Sequence, residues 1–171
     1  MIELKIIIFF LTIISVRLIF KYVIDIGDKK IVKMKEFIDF VEYMRIYSCD
    51  MKMSLEEILL KYNYKSEQFK GICYRLLEEI TNDSVMKSNK KHFLNYIESN
   101  AMTPVDFNSA FANIIDYYGN TYSDVLDKKL VFTIEDMTNE MKKYEGIHIG
   151  KKDLYNKISV LFGCLAAVIL I

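Results

Sequence analysis

Residues 158–171 read ISVLFGCLAAVILI, and none of these side chains carries a charge. As an α-helix the stretch is roughly 21 Å long, and beginning it at Leu154 gives roughly 27 Å, close to the ~30 Å hydrocarbon core of a bilayer. Lys157 has a stem long enough to carry its ammonium group to the lipid head groups. A buried core helix is the alternative, but core helices are usually amphipathic. We therefore predict a C-terminal transmembrane anchor over residues 153–171.

A second apolar stretch lies at the opposite end of the sequence. Residues 1–20 read MIELKIIIFFLTIISVRLIF, without a charge over residues 6–16. Twenty residues make roughly 30 Å of helix, so the flanking charges fall near the two membrane interfaces. A cleaved signal peptide would need a positive start and a small-residue cleavage site, but one glutamate offsets the first lysine and no alanine precedes Ala101. We predict an uncleaved anchor over residues 1–26.

The lysines predict how such a chain is oriented. They follow the first apolar stretch and precede the second, and they are almost absent from the outer flanks. By the positive-inside rule, the segment between the anchors is cytoplasmic and both termini point outward. We therefore predict one cytoplasmic domain over residues 27–152. The lysines that support this orientation are Lys21, Lys29, Lys30, Lys33, Lys35, Lys142, Lys143, Lys151, Lys152 and Lys157.

The composition favours helices and excludes several classes of function. Of the 171 residues 52% are hydrophobic, and one proline and six glycines are few for a sheet-rich protein. The net charge of zero argues against nucleic-acid binding, which normally needs a basic surplus. Cys49, Cys73 and Cys164 are odd in number and lack metal-site spacing, so we expect reduced thiols. About 130 residues between the anchors are enough for one domain.

Apolar residues recur with helical spacing between the two anchors, so we expect an all-α bundle between two transmembrane helices. Ser54 and Glu57 have the pattern of a capping box. Thr103 is predicted to cap a later helix, with Pro104 at its first position. The polar residues 87–91 are expected to form a connection. The predicted buried positions are Met34, Phe37, Ile38, Val41, Met44, Tyr47, Phe69, Ile72, Cys73, Leu76, Leu77, Ile80, Phe93, Tyr96, Ile97, Phe107, Ala110, Phe111, Ile114, Ile115, Tyr118, Leu126, Leu130, Ile134, Met137, Met141 and Tyr144.

The last predicted helix begins near Ser123 and points at the C-terminal anchor. Gly146 and Gly150 lie within it, each costing about 1 kcal/mol of helix propensity relative to alanine, so we predict a kink or hinge there. Their spacing also matches a helix-contact face, but that role belongs to apolar spans, and these glycines have charged neighbours. Gly27 permits a similar kink after the first anchor.

No pattern in the sequence indicates catalysis. Phosphate-binding glycine loops and the zinc-protease and serine-hydrolase motifs are absent, and the two histidines, His92 and His148, lie on separate predicted segments. Cys73 takes a core-facing position, which is typical of a small hydrophobic residue rather than a nucleophile. We therefore expect a non-enzymatic protein with no cofactor, metal site or small-molecule substrate.

Lysine and arginine are absent from one long part of the chain. Residues 92–127 contain no lysine or arginine. An acidic surface on a membrane-anchored domain suits the docking of a basic partner, while plain solvation of each carboxylate is the alternative. The candidate partner-binding residues are Asp106, Asp116, Asp124 and Asp127, with Glu98 in the same stretch.

Several local patterns occur in a characteristic order along the chain. They are Glu42 and Tyr47, then Thr103-Pro104 followed by Tyr118-Gly119 and Asp124, and finally KISVLFG at residues 157–163. Together with an anchor at each end, this order resembles the stage III sporulation protein AB family of endospore-forming bacteria. The chain departs from the family pattern at Ser48 and Ser159, where the family has glycines. It also departs at residues 50–52, which read Asp-Met-Lys where the family has a Thr-Pro-Leu turn.

This resemblance implies a non-catalytic membrane component of the channel between mother cell and forespore. The protein would lie in the outer forespore membrane with its domain in the mother-cell cytoplasm. Its helical domain would be similar to the platform protein of type II secretion and type IV pilus systems. The implied partners are the cytoplasmic ATPase, stage III sporulation protein AA, and the other stage III channel components. An unrelated membrane-anchored regulator or scaffold for another cytoplasmic partner is the alternative.

Overall fold

The computed structural model describes residues 2–81, 86–118 and 123–170, with the side chains of residues 6–81, 90–118 and 123–169. Over these ranges the chain is helical and contains no β-strand, which confirms the all-α prediction. A π-helical turn, Ile46–Asp50, follows the first helix. The helices are α1 (Ile2–Arg45), α2 (Leu55–Lys61), α3 (Glu67–Thr81), α4 (Met86–Ala101), α5 (Val105–Ala112), α6 (Ile114–Tyr117) and α7 (Ser123–Leu170).

The chain divides into two compact units. The paired-helix unit comprises residues 1–31 and 144–171, which include the N-terminal part of α1 and the C-terminal part of α7. The core unit comprises residues 32–143. The predicted boundaries at residues 26 and 153 refer to a membrane, and they stay predictions.

Phenylalanine rings form the centre of the core unit. The ring centroid of Phe37 on α1 lies 4.5 Å from that of Phe69 on α3 and 4.9 Å from that of Phe111 on α5. All three side chains are buried, and each such burial stabilises the fold by roughly 1.5–3 kcal/mol. The predicted core positions that are buried are Met34, Phe37, Ile38, Val41, Met44, Phe69, Ile72, Cys73, Leu76, Phe93, Ile97, Phe107, Ala110, Phe111, Ile114, Ile115, Leu126, Leu130 and Met137. Those that are half-buried are Tyr47, Leu77, Ile80, Tyr118, Ile134, Met141 and Tyr144, and Tyr96 is exposed.

Helix α1 is continuous through Gly27, so this glycine does not interrupt the helix. Glu36 lies on the face that the sequence assigns to solvent, yet it is 4% exposed. Its carboxylate accepts the backbone N–H of Lys65 at 2.8 Å and that of Ser66 at 3.2 Å. Glu36 thereby satisfies backbone donors just ahead of α3, where the helix dipole also favours a negative charge.

The two predicted helix caps have different outcomes. The capping box of α2 is confirmed, because Ser54 and Glu57 each accept the backbone N–H of the other. The predicted cap of α5 is wrong, because Pro104 occupies the N-cap position and no side chain caps the helix. The hydroxyl of Thr103 donates instead to Asn108 Oδ1, and the Asn108 amide donates to the Thr103 carbonyl. Both residues are buried, and buried polar groups need such partners.

Two predicted boundaries lie elsewhere in the structure. Residues 87–91, predicted as a connection, belong to α4. Lysine is a good helix former, so a polar run does not by itself end a helix. The helix predicted from Thr103 onward is interrupted at Asn113 and continues as α6. The sequence also predicts a turn over residues 81–84 and a helix stop at Gly119, and of these only Thr81 lies within the described residues.

Helix α7 runs through Gly146 and Gly150 without an interruption. A Cβ added at either glycine would meet no atom within 4 Å, so neither forms a close helix contact. Propagation adds one hydrogen bond for each residue fixed, which allows a helix of 48 residues to tolerate two weak positions. The predicted kink is therefore not found as a break in the helix.

One helix among the described residues is long and apolar enough to cross a membrane. It is α1, and none of its most apolar 18-residue stretch is buried within the protein. The C-terminal part of α7 does not meet the same criterion over the described residues, which stop short of Ile171.

Small residues mediate the packing of α1 against α7 within the paired-helix unit. Ser159, Gly163 and Ala167 are buried and recur at four-residue intervals along α7. A Cβ added at Gly163 would lie 3.2 Å from the Cα of Ile13. Small side chains permit such a close approach of two helix backbones, which is common where helices pack inside membranes.

Candidate functional site

The four predicted partner-binding aspartates lie on three helices of the core unit. Asp106 is in the first turn of α5, Asp116 is on α6, and Asp124 and Asp127 are near the start of α7. Asp127 is half-buried, and the other three aspartates are exposed.

Two of these carboxylates pair with basic side chains from outside the acidic stretch. Arg45 Nη1 on α1 lies 2.9 Å from Asp127 Oδ1. Lys90 Nζ on α4 lies 2.5 Å from Asp116 Oδ2. Pairs at such partly exposed positions typically contribute less than about 1 kcal/mol to stability, but they cancel charge locally. Asp116 and Asp127 therefore present less negative charge than the sequence suggests.

The remaining carboxylates of the stretch have no close cationic partner that offsets their charge. Lys143 Nζ is 3.9 Å from Asp106 Oδ2, at the outer limit of an ion pair, and the Asp106 side chain is 74% exposed. Asp124 and Glu98 are exposed and form no ion pair within the described part of the chain. We call Glu98, Asp106 and Asp124 the open carboxylates.

A groove of about 370 Å³ lies beside Asp116, between α6 and α7. Phe132, which lines it, is 65% exposed, and Val125 is 44% exposed. Lys129 Nζ stands 5.1 Å from the centre of the Tyr117 ring at the same groove. Exposed aromatic residues are enriched at protein interfaces, so this groove is a candidate docking surface. Its sequence signal is a phenylalanine that lies off the apolar stripe of α7.

A polar cluster in the paired-helix unit was missed by the sequence analysis. His148 is 8% exposed, and its Nε2 lies 2.9 Å from Asp28 Oδ1. Lys152 Nζ donates to Asp28 Oδ2 at 2.9 Å. The hydrogen bond from Lys152, followed by that from His148, holds the pKa of Asp28 below its ordinary value. We call Asp28, His148 and Lys152 the Asp28 cluster.

The thiols and the metal-ligating side chains suggest no chemistry of their own. Among the described residues, no three histidine, cysteine, aspartate or glutamate side chains are grouped to hold a metal ion. Burial raises the pKa of the Cys73 thiol, and burial together with the charge of Asp127 raises that of Cys49. Thiols with a raised pKa are poor nucleophiles near neutral pH. The absence of enzymatic activity stays a prediction.

No family model matches the sequence, and neither a curated protein nor a solved structure is significantly similar to it. The resemblance to the stage III sporulation protein AB family therefore rests on the order of the local sequence patterns, and it stays a hypothesis.

Proposed function

We propose that the protein is a non-enzymatic integral membrane platform, or adaptor, that holds a helical domain at the membrane surface and docks a cytoplasmic ATPase. One observation carries the membrane part of this proposal. In the paired-helix unit, the small residues Ser159, Gly163 and Ala167 of α7 are buried, whereas most of the large apolar side chains around them are exposed. Helices of water-soluble proteins bury their large apolar side chains, whereas helices in lipid gain nothing from doing so.

The exposed apolar side chains form continuous sets on both helices. Leu161, Phe162 and Leu165 on α7 are 58–69% exposed, next to the buried Gly163. Leu11, Leu18 and Ile19 on α1 are 60–65% exposed. Apolar patches of this extent are rare on soluble monomers. We propose that hydrocarbon covers both sets, so that α1 up to residue 26 and α7 from residue 153 each span the membrane.

The lysine distribution supports a cytoplasmic location of the core unit under this proposal. We expect a cysteine at Lys91, an exposed position on α4, to escape an impermeant maleimide in intact cells. Cys49 and Cys164 are first changed to serine, and the same variant is expected to react after the cells are permeabilised. A cysteine added after Ile171 is the control, and it is expected to react in intact cells. Labelling of Lys91→Cys in intact cells would mean that the core unit lies outside the cytoplasm, opposite to the proposed topology.

A more specific proposal follows from the resemblance. The membrane is the outer forespore membrane, the assembly is the channel between mother cell and forespore, and the ATPase is stage III sporulation protein AA. The ordered patterns from Glu42 to Gly163 support this assignment. A docking role needs exposed charged and apolar groups on the domain, and the open carboxylates and the groove lined by Phe132 are such groups in the core unit.

Charge reversal tests the docking role. We expect Glu98→Lys, Asp106→Lys and Asp124→Lys together to weaken binding of the stage III sporulation protein AA ATPase about tenfold at low salt. Exposed charges contribute less than about 1 kcal/mol each, so the combined change is needed, and the effect shrinks as salt screens it. Asp116 and Asp127 are left unchanged, because a lysine there would stand beside Lys90 or Arg45 and disturb the fold.

The matched control reverses three exposed carboxylates outside the acidic stretch. Glu56→Lys, Glu67→Lys and Glu135→Lys make the same change in net charge on the same unit. Affinity is measured at low and moderate salt for both triple variants, after circular dichroism has verified their helix content. An unchanged affinity in the first variant, or an equal loss in the control, would reject the docking role of the open carboxylates.

A second candidate function is a membrane-anchored regulator or scaffold for a different cytoplasmic partner. The observation that favours it is that Asp116 and Asp127 are already paired within the chain, which reduces the field available to steer a basic ATPase. Absence of any binding between the unmodified protein and the ATPase, at low salt and in a bilayer, would favour this second function.

A further inference from the structure

A groove in the paired-helix unit is lined by both apolar and polar side chains. Its volume is about 490 Å³. The apolar side chains are those of Ile14, which lies within the uncharged run of α1, and of Leu18, Phe20 and Ile24, which follow that run. The polar side chains are those of Arg17, Lys21, Asp25, Asp28, Lys152, Asn156 and Ser159.

Only some of the charged side chains in this groove have an ion-pair partner within the described residues. Asp28 is occupied by Lys152 and His148 in the Asp28 cluster. Arg17 and Lys21 are exposed and form no ion pair with any described residue. They stand four residues apart on α1, so their side chains leave the helix on the same face. The groove therefore offers two neighbouring cationic groups that have no ion-pair partner among the described residues.

The position of these groups along α1 matches the depth of lipid head groups. Arg17 directly follows Val16, the last residue of the uncharged run 6–16. A long basic side chain at this point reaches the interface between hydrocarbon and water. The exposed Ile14, within the uncharged run, then lies on the hydrocarbon side of Arg17, and the exposed Leu18 lies next to Arg17 at the interface.

We propose that this groove binds an anionic phospholipid, whose phosphate contacts Arg17 and Lys21 and whose acyl chain lies along Ile14 and Leu18. The guanidinium and ammonium groups are the usual partners of a phosphate diester. The side-chain amide of Asn156, which also lines the groove, supplies a further hydrogen-bond donor. The site rests on the proposed membrane anchoring and adds a preferred lipid class to it.

Tryptophan fluorescence tests the lipid preference, because the natural chain contains no tryptophan. Leu18→Trp places the probe in the groove, and Ile19→Trp places it on a neighbouring exposed position outside the groove. Each full-length variant is reconstituted in vesicles of phosphatidylcholine that contain either brominated phosphatidylglycerol or brominated phosphatidylcholine. We expect the groove probe to report a preference for phosphatidylglycerol of about fivefold or more, and the outer probe a preference near one.

Removal of the two cations identifies the binding residues. In the Leu18→Trp chain, Arg17→Gln with Lys21→Gln is expected to reduce the preference to near one. Lys29→Gln with Lys30→Gln removes the same charge from α1 outside the groove and is expected to leave the preference unchanged. An equal loss in both pairs would indicate general surface charge and overturn the site. So would a groove probe quenched equally by the two brominated lipids.

The outcome also distinguishes the lipid site from the anchoring that it requires. Equal quenching at both probes rejects the head-group site and keeps α1 in the bilayer. The absence of quenching by either brominated lipid at both probes means that α1 is not in the bilayer, and both the anchoring and the lipid site are then rejected.

Discussion

Replacing Phe37 with alanine is expected to lower the free energy of unfolding of the core unit by about 3–5 kcal/mol. The ring is 2% exposed, and it contacts the rings of Phe69, Phe107 and Phe111. These rings come from α3 and α5, so Phe37 joins three helices that are distant in sequence. Its removal loses the transfer free energy of the ring and leaves a cavity that three neighbouring rings fill only partly.

Thermal melting of the full chain in detergent micelles, followed by far-ultraviolet circular dichroism, measures this loss. Phe132→Ala is the matched control, because the same side chain is removed from a position that is 65% exposed. Its effect is expected to remain within about 0.5 kcal/mol. Equal losses in the two variants would mean that the contacts of Phe37 do not determine the stability of the core unit.

The amphipathic faces of the core unit were predictable from sequence, because local periodicity alone decides them. Phe37, Val41 and Phe111 occupy positions that recur every three or four residues, and all three are buried. The capping box at Ser54 was predictable for the same reason, since its partners are three residues apart. Where the physics is local, the sequence was sufficient.

Interactions between distant residues could not be read from the sequence. Asp127 and Arg45 are 82 positions apart, so the acidic character of residues 92–127 gave no sign of the cation that approaches it. Thr103 had every local feature of a helix cap, but its hydroxyl is used by Asn108 inside the protein. Tertiary partners override local preference whenever a buried polar group needs them.

At Gly27 the role predicted from the sequence differs from the role that the structure shows. A glycine beside an aspartate in a long helix suggested a point of flexibility, whereas the structure uses it for close packing. The His148 ring occupies the space that a Cβ at Gly27 would take. No local pattern indicates this, because His148 lies 121 positions further along the chain.

Gly27→Leu is therefore expected to destabilise the packing of α1 against α7 within the paired-helix unit by about 2–3 kcal/mol. The His148 ring cannot shift freely, because it is 8% exposed, hydrogen-bonded to Asp28 and stacked on Tyr144. The leucine therefore displaces the ring and breaks the bond to Asp28. Thermal melting in micelles measures the loss of stability, and diethyl pyrocarbonate measures the exposure of His148, with the exposed His92 as an internal reference.

Gly146→Leu is the matched control for this change. It places the same side chain in a helix of the same unit, where an added Cβ meets nothing within 4 Å. Both variants gain about 1 kcal/mol of helix propensity from the loss of glycine, so their difference isolates the overlap with His148. We expect Gly146→Leu to be neutral or stabilising and to leave His148 protected. If the two variants melt alike and His148 stays unreactive in both, the close packing of His148 on Gly27 is refuted.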